Sequence, residues 1–516
     1  MRDNAGNTEI EFKLRMTDLQ LARLKRADWW RGLSGAASSE LKSVYVDTAN
    51  SDLRRLGLAL RMRTKGAGLE QTLKMVSAGD PFRRREWTAP LTGSAPDPTC
   101  FCDPALPEEY RALSASDLTP VFRLAVHRET RRLRDDDAEV EIAIDEGAIE
   151  AGDLKSRIAE IELELKSGET AALVGAARRI VDIAGGRAFL RSKADRGYDL
   201  AEGRDAFWIK PGKFSLDRAM SVAEALQAIV LRAAHHLTSN DDCARINAHV
   251  EGVHQCRIAC RQVRSAFRLF RRVLPNSPFA ALRDEAKRIA GALGKARDID
   301  VMKTELLEPA RGALDSTELV DRLLAELAKQ RVKAYARVAS TLADQRYEGF
   351  LIDLLAVATS DDWAESGDKR ALDSHATRFA EAALDKAYDR VRKSGRGFKD
   401  LSAADRHKLR IDVKRMRYAS DFFASLFDAE ETKRFRKQLA DLQDRLGALN
   451  DLAVAKNSLA ALAGRAAGAD EPLAAQLSTV ADRILEWRAK DADKMDDALI
   501  GDWKAFEDAE PFWGDE

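Results

Sequence analysis

Two stretches of this chain, HQCRIACRQVR from His254 and HKLRIDVKRMR from His407, repeat one arrangement: a histidine followed by basic residues at +3, +7 and +10. The offset is 407 − 254 = 153 residues, and it recurs where Leu293-Gly294 with Arg297-Asp298 meets Leu446-Gly447 with Asn450-Asp451. An offset shared by two motifs marks an internal duplication. At about 100° per residue on a helix, the four repeated positions fall within an arc of about 80°. They are His254, Arg257, Arg261 and Arg264, then His407, Arg410, Lys414 and Arg417. The opposite arc carries Cys256, Val263, Phe267, Phe270 and Leu274 in the first copy, and Leu409, Val413, Met416, Phe423 and Phe427 in the second. Each helix is therefore expected to bury one face and present a cationic stripe on the other. No acidic residue occurs from Gly252 to Arg283, so the first stripe is not neutralised locally. Such a surface calls for a polyanion.

Bulk properties narrow the class. The chain has 516 residues, enough for two to four domains. Its 84 basic and 85 acidic residues leave a net charge of −1. That balance argues against a general nucleic-acid coat, so local charge decides the partner. The five cysteines show no metal-like CxxC pair or disulfide framework, which points to a reducing compartment. Cys256 and Cys260 share one side of a helix and read as small core residues. The N-terminal stretch lacks an apolar signal region, and no apolar run is long enough to span a membrane. A soluble cytoplasmic protein without membrane partners is expected.

The pattern changes near residue 200. Before it, period-2 alternation dominates: Glu9–Lys13, Leu60–Arg63, Thr72–Lys74, Glu139–Ile142 and Glu160–Leu165, separated by Gly and Pro turns. Short helical patterns interrupt these at Thr17–Ala27, Leu53–Leu56 and Thr170–Ala184. After residue 215 the period becomes helical, over Ser221–Leu237, Val250–Leu274, Phe279–Ile299, Glu318–Leu342, His375–Lys393, Ala403–Phe427, Glu430–Leu446 and Glu471–Asp497. The expected division is 1–200, a linker over 201–217, and a helical domain over 218–510.

Residues two apart on a strand face the same side. Glu9, Glu11 and Lys13 therefore share a face, as do Glu160, Glu162 and Glu164, and Glu139, Glu141 and Asp145. Arg61 stands with Arg63, Thr72 with Lys74, and Arg84 with Glu86. One such strand is ordinarily a wet face of an amphipathic sheet. Several strands, each stacking like charges, repel unless something compensates them. Carboxylates suit Mg²⁺ or Mn²⁺, and Arg and Lys suit phosphate oxygens. Together they fit a metal-assisted polyphosphate site.

Glu9-x-Glu11-x-Lys13 resembles the signature of the CYTH superfamily, the triphosphate tunnel metalloenzymes. The resemblance continues in order through LALRMR to Arg63, LEQTLK to Lys74, RREW at Arg84–Trp87, HRE around Arg128, EIAIDEG at Glu141–Gly147, EIELELKSGE at Glu160–Glu169 and SKADRGY, which opens at Ser192 and carries Lys193–Tyr198. It covers about residues 8–200. The repeated basic helices resemble the CHAD domain, a helical module associated with polyphosphate, with Lys414 standing where the first copy has Arg261. This combination resembles a bacterial architecture often described as inorganic triphosphatase. The implied fold is α+β and multidomain. It joins an N-terminal eight-stranded antiparallel β tunnel with flanking helices to a C-terminal all-α duplicated bundle.

The resemblance further implies that Glu9, Glu11, Glu162 and Glu164 hold the metal, with Glu141 and Asp145 as further ligands or water-orienting groups. Lys13, Arg61, Arg63, Lys74, Arg84, Arg128 and Lys193 would clamp inorganic triphosphate. The repeated stripes would bind long-chain polyphosphate, and the protein could associate with polyphosphate granules. Rival readings are a class IV adenylyl cyclase, a thiamine triphosphatase, and a non-catalytic granule adaptor. The full carboxylate set argues against the adaptor, because a mere phosphate binder gains nothing from so many anionic groups. Gly66-Ala67-Gly68 reads as a turn rather than a phosphate loop, His235-His236 as a solvated or capping pair, and Trp29-Trp30 as a hydrophobic edge or a contact with the second domain.

Overall fold

The computed structural model describes residues 7–65, 68–76, 83–135, 137–204, 208–212, 214–274, 279–489 and 492–514. Gly66 and Ala67 of the expected turn lie outside the described residues. Arg84 is placed on its strand, but its side chain is not described, nor is that of Asn450 or Asp451. The chain divides into two compact units: 1–211 with 230–243 and 343–361, and 212–229 with 244–342 and 362–516.

The first unit is built on strands β1 (Asn7–Arg15), β2 (Ser34–Asp47), β3 (Leu58–Lys65), β4 (Gly68–Val76), β5 (Arg83–Leu91), β6 (Thr119–Asp135), β7 (Ala138–Ala151), β8 (Leu154–Ser167) and β9 (Arg187–Ala188). They form one antiparallel sheet in the order β5-β4-β3-β2-β6-β7-β8-β1-β9, and a four-residue ladder also joins β5 to β1. Among the described residues the expected eight strands become nine, because the two-residue β9 pairs with Leu14 and Arg15 of β1. A strand of two residues is too short for alternation to reveal.

Alternation sorts each strand's faces. Phe12, Leu14, Ile142, Ile144, Ile161 and Leu163 are buried. The helix Thr170–Ala184 packs over β1, β7 and β8 and buries Leu173, Val174, Ala177, Ile180 and Val181. The charged residues of the same strands point the other way. Two local devices hold the sheet's connections. Buried Asp47, ending β2, accepts hydrogen bonds from the backbone N–H of Thr48, Leu53 and Arg54 at 2.7, 2.9 and 3.0 Å. Ser192 and Asp195 form a reciprocal capping box that opens the helix Lys193–Ala201. That helix approaches the sheet closely: a Cβ at Gly197 would stand 2.2 Å from the ring of Phe122.

Helical segments from beyond residue 218 complete this unit. The helix Gln345–Thr359 packs on Thr170–Ala184. Asp242 pairs with Arg15 and, at 2.5 Å, with Arg187. Tyr347 Oη donates to Asp241 at 3.0 Å. Trp30 is buried here, with the Arg131 guanidinium 5.2 Å above its ring.

Among its described residues the second unit is built of helices, with one isolated β-bridge between Ser221 and His375. Helices Val250–Leu269 and Phe279–Val301 pack together, as do Ala403–Phe423 and Ala429–Ala467 at the repeat offset. The stripe helices are in contact with each other. Their apolar faces bury Cys256, Cys260, Val263, Phe267, Phe270, Leu409, Val413, Met416 and Phe423, and Phe270 and Phe423 both meet Phe379. Two helices run differently from the sequence pattern. Ala429–Ala467 continues well past Leu446, and Glu471–Ala489 is followed by a separate helix, Ala492–Glu507. No described helix is long and apolar enough to cross a membrane. In the first unit His236 is buried, with its main-chain carbonyl accepting from Asn240 Nδ2 at 2.8 Å, which overturns the solvated alternative for this residue of the expected solvated or capping pair.

Candidate functional site

The inward faces of β1, β2, β3, β4, β6, β7 and β8, with the start of helix Lys193–Ala201, line a cavity of about 230 Å³. Glu9, Glu11, Lys13, Arg61, Arg63, Lys74, Arg128, Asp145, Glu162, Glu164 and Lys193 all line it. They come from positions 9 to 193, and the registers explain how they meet. Lys13 stands opposite Glu162, Glu11 opposite Glu164, and Glu164 opposite Glu141. Arg128 faces Asp145, which faces Glu160 on its other side. Glu141 is on this row but is not among the cavity-lining residues. Arg84 is paired with Glu9 in the ladder, its side chain being outside the described set.

Two ionic clusters result. In the first, Lys193 Nζ lies 2.7 Å from Asp145, 2.5 Å from Glu160 and 2.8 Å from Glu162. Arg128 grips Asp145 at 2.6 and 2.7 Å through two nitrogens and reaches Glu162 at 2.5 Å. Lys13 approaches Glu162 at 3.6 Å. Burial works against the Glu162 carboxylate, but Lys193, Lys13 and Arg128 outweigh it and hold its pKa well below the usual range. Burial likewise opposes the Lys193 ammonium, and its three carboxylates more than offset this. A lysine in the first turn of a helix opposes the helix dipole. These acids answer that cost.

In the second cluster, Lys74 contacts Glu86 and lies 3.0 Å from Glu9, while Arg61 lies 3.5 Å from Glu86. Burial pushes Glu9 up to about 6, with Glu86 adding to the rise and Lys74 opposing it. Burial beside Arg61 lowers Arg63 to about 10. Arg61 Nε is buried with no hydrogen-bond partner, so a donor is free for a bound oxygen.

Glu11, Glu164 and Glu141 sit side by side on three neighbouring strands. Like charges directly opposite each other destabilise a sheet. Lys166 offsets part of this, at 2.6 Å from Glu164 and 3.7 Å from Glu141, and Lys13 reaches Glu11 at 2.5 Å. Carboxylate oxygens at this density are the hard donor set that Mg²⁺ or Mn²⁺ uses. Asp145, Glu160 and Glu162 also offer oxygens within 4.8 Å of one another, although cations already occupy them.

Glu86 and Glu160 were seen in sequence only as members of a charged face, not as site residues. Their importance lies in the cations they hold, which register decides. Tyr45 and Arg54 also line the cavity and gave no sequence signal, while Ser192, Asp195 and Tyr198 belong to the SKADRGY motif without being singled out as site residues.

In the helical unit, His254, Arg257, Arg261, Arg410 and Lys414 line a groove of about 880 Å³, so both repeats contribute to it. Arg297, Arg465 and Arg488 add to its positive charge. Arg261 Nε and Arg264 Nε are buried without hydrogen-bond partners. Burial lowers the Arg261 pKa, and nearby Arg257, Arg417 and Arg410 lower it further. His254 is lowered by burial and then by Arg297. Arg264, His407 and Arg417 are not among the groove's lining residues. Arg417 lies 3.9 Å from Asp444, and Arg257 3.2 Å from Asp298.

Comparison with known proteins bears on both units. Residues 7–198 match the family model described as CYTH domain, and residues 228–460 that described as CHAD domain. An uncharacterized protein of Mycobacterium tuberculosis is 27% identical over 437 residues, covering 79% of this chain and 80% of its own. An inorganic triphosphatase of Haemophilus influenzae is 30% identical over 131 residues, 25% of this chain and 36% of its own. The crystal structure of the CHAD domain from the plant Ricinus communis aligns with a TM-score of 0.50 at 29% identity, covering 58% of this chain and 97% of that one.

Proposed function

We propose, for a chain that carries a CYTH domain followed by a CHAD domain, that the first hydrolyses inorganic triphosphate to pyrophosphate and phosphate, and that the second binds long-chain polyphosphate. The observation that carries the reading is the convergence of cations and carboxylates from six strands and a helix start on one cavity. The inorganic triphosphatase of Haemophilus influenzae, similar over part of the chain, supports it.

Mg²⁺ or Mn²⁺ would be held by Glu9, Glu11, Glu162 and Glu164, with Glu141 and Asp145 adjacent, and would supply charge neutralisation and a water of lowered pKa. The chain's own groups do the rest. Lys13, Arg61, Arg63, Lys74, Arg128 and Lys193 hold the phosphate oxygens and fix the triphosphate along the cavity. The oxygen of water bonds to a terminal phosphorus as the P–O bond to the neighbouring phosphate breaks, and pyrophosphate leaves. The proton released from water passes to a carboxylate of the acidic row. Cations already fixed in place stabilise the charge that builds on the leaving oxygen without reorganising at that moment.

The test incubates the purified chain with triphosphate, pyrophosphate, ATP, thiamine triphosphate and long polyphosphate, each with Mg²⁺ or Mn²⁺. Release of phosphate and pyrophosphate from triphosphate, faster than from the others, is expected. Preferential turnover of ATP or thiamine triphosphate would reassign the substrate, and no turnover of any would reduce the cavity to a binding site.

A further inference from the structure

The groove of the helical unit is lined by more than basic residues. Ile299, Met302, Leu306, Leu327, Ala461 and Leu462 line it too. They come from Phe279–Val301, the π-helical turn Met302–Leu307 that follows it, Thr317–Leu342 and Ala429–Ala467. The basic residues of the repeat come from Val250–Leu269 and Ala403–Phe423. Leu306, Leu327 and Leu462 belong to a buried apolar cluster of this unit, so the groove reaches down to its hydrophobic core. Inorganic polyphosphate is charged at every unit, gains nothing from such a surface, and loses hydration against it. A phosphate chain joined to an apolar ring uses both parts.

Other lining residues choose between an alkyl and an aromatic group. Asn457 and Ser458 bring an amide and a hydroxyl to the groove, which a base edge would use and an alkyl chain would not, while the Gln330 amide donates to Glu326 and accepts from Arg465. Arg465, 3.3 Å from Gln330 Oε1, carries a planar guanidinium of the kind that stacks on rings. The Met302 thioether packs well against aromatics. The volume lies within the usual range for small-molecule sites, about 300–1,000 Å³. We propose that the groove takes a nucleoside oligophosphate, with its phosphate chain on the basic residues of both repeats and its base among the apolar ones. This rests on the anion-binding reading of the groove given above.

Calorimetry on the full-length chain in metal-free buffer, where tunnel hydrolysis is stopped, compares inorganic tetraphosphate, adenosine 5′-tetraphosphate and long polyphosphate. The nucleoside form should bind roughly tenfold more tightly than the inorganic one, the effect expected from burying a base. Ala461 is exposed on the lining, so it tolerates change. Ala461→Asp charges the apolar part and Ala461→Trp fills it, and each should erase that advantage. Ala461→Trp should leave inorganic binding within about twofold, since no phosphate contact is touched. Equal binding of the two tetraphosphates overturns the nucleoside proposal and leaves an inorganic anion groove. An advantage that survives both variants places the base elsewhere and also overturns it. Failure of all three ligands to bind overturns the underlying anion reading as well.

Discussion

In the cavity of the sheet unit Lys193 touches three carboxylates and Arg128 two, whereas Arg261, lining the groove, lies near Arg257 and Arg410 of the same lining and near Arg417. The tunnel's cations are neutralised and fixed before any ligand arrives. In the groove Arg257 lies 3.2 Å from Asp298, yet Arg261 is surrounded by other guanidinium groups whose repulsion an entering anion relieves. Fixed charges in a buried site suit the stabilisation of a defined transition state. A mutually repelling surface suits a flexible polyanion, whose binding is driven by released counterions and weakens with salt. Five outcomes break or sharpen this contrast.

The largest concerns the acidic row. Glu9→Gln with Glu11→Gln should lower triphosphate hydrolysis by about 10³-fold or more at saturating Mg²⁺, while long-polyphosphate binding in the groove stays unchanged. Turnover at the wild-type rate in a phosphate-release assay would remove the tunnel as the catalytic site.

Lys193→Met strips one cation from three buried acids and should cost about 3–5 kcal/mol in denaturant unfolding. The acid side reports the same cluster. The folded pKa of Glu162 is depressed, so its contribution is present above the unfolded value of about 4.5 and is lost as pH falls below it. The variant should show a shallower loss of stability on acidification than wild type. Identical acid profiles would separate Glu162 from Lys193.

Reversing charge at Arg257, Arg261, Arg410 and Lys414 to Glu should weaken long-polyphosphate binding by about 100-fold or more. Wild-type binding should fall steeply with salt, while the tunnel's ligand affinity falls less. Because these residues are half-buried around a groove, helicity by circular dichroism should persist. Retained binding would shift the polyanion site elsewhere.

Arg61→Ala removes a clamp with a vacant donor, and triphosphate affinity by calorimetry should fall by about 1.5–3 kcal/mol. Metal affinity without substrate should hold or improve. Loss of metal binding with triphosphate binding retained would exchange the two roles.

The smallest effect is on stability. Burial raises Glu9 to about 6 in the folded state, so stability from this group declines as pH rises from about 4.5 through 6. Glu9→Gln should therefore raise metal-free stability at pH 7.5 by up to about 2 kcal/mol while abolishing activity. A destabilised variant would show that Lys74 holds Glu9 more strongly than burial opposes it.

Much of the tunnel could be read from local pattern. Alternation placed Glu9, Glu11 and Lys13 on one face, and the ordered motifs from Arg61 to Lys193 supplied Arg61, Arg63, Lys74, Arg128, Asp145, Glu162, Glu164 and Lys193 among the residues that line the cavity. The helix Thr170–Ala184 was delimited by its period alone. Less visible were Glu86 and Glu160, whose roles follow from standing opposite Lys74 and Asp145 on neighbouring strands. The helix Gln345–Thr359 left no sequence expectation, since its residues Phe350, Leu351, Ile352, Leu354 and Leu355 are buried almost all round and lack an amphipathic stripe.

By itself the sequence determined which side of each strand and helix is charged, because side-chain direction follows a fixed local period. It also determined that the two basic stripes are copies, through the shared offset of 153 residues. Only the tertiary structure decided which charges meet. Lys193 reaches Asp145, Glu160 and Glu162 because the Ser192–Asp195 cap starts its helix at the cavity. Asp241 and Asp242, far along the chain, answer Arg187 and Arg15 and make two helical segments part of the tunnel's own unit. Such pairings depend on register and docking between distant segments, which no local periodicity encodes.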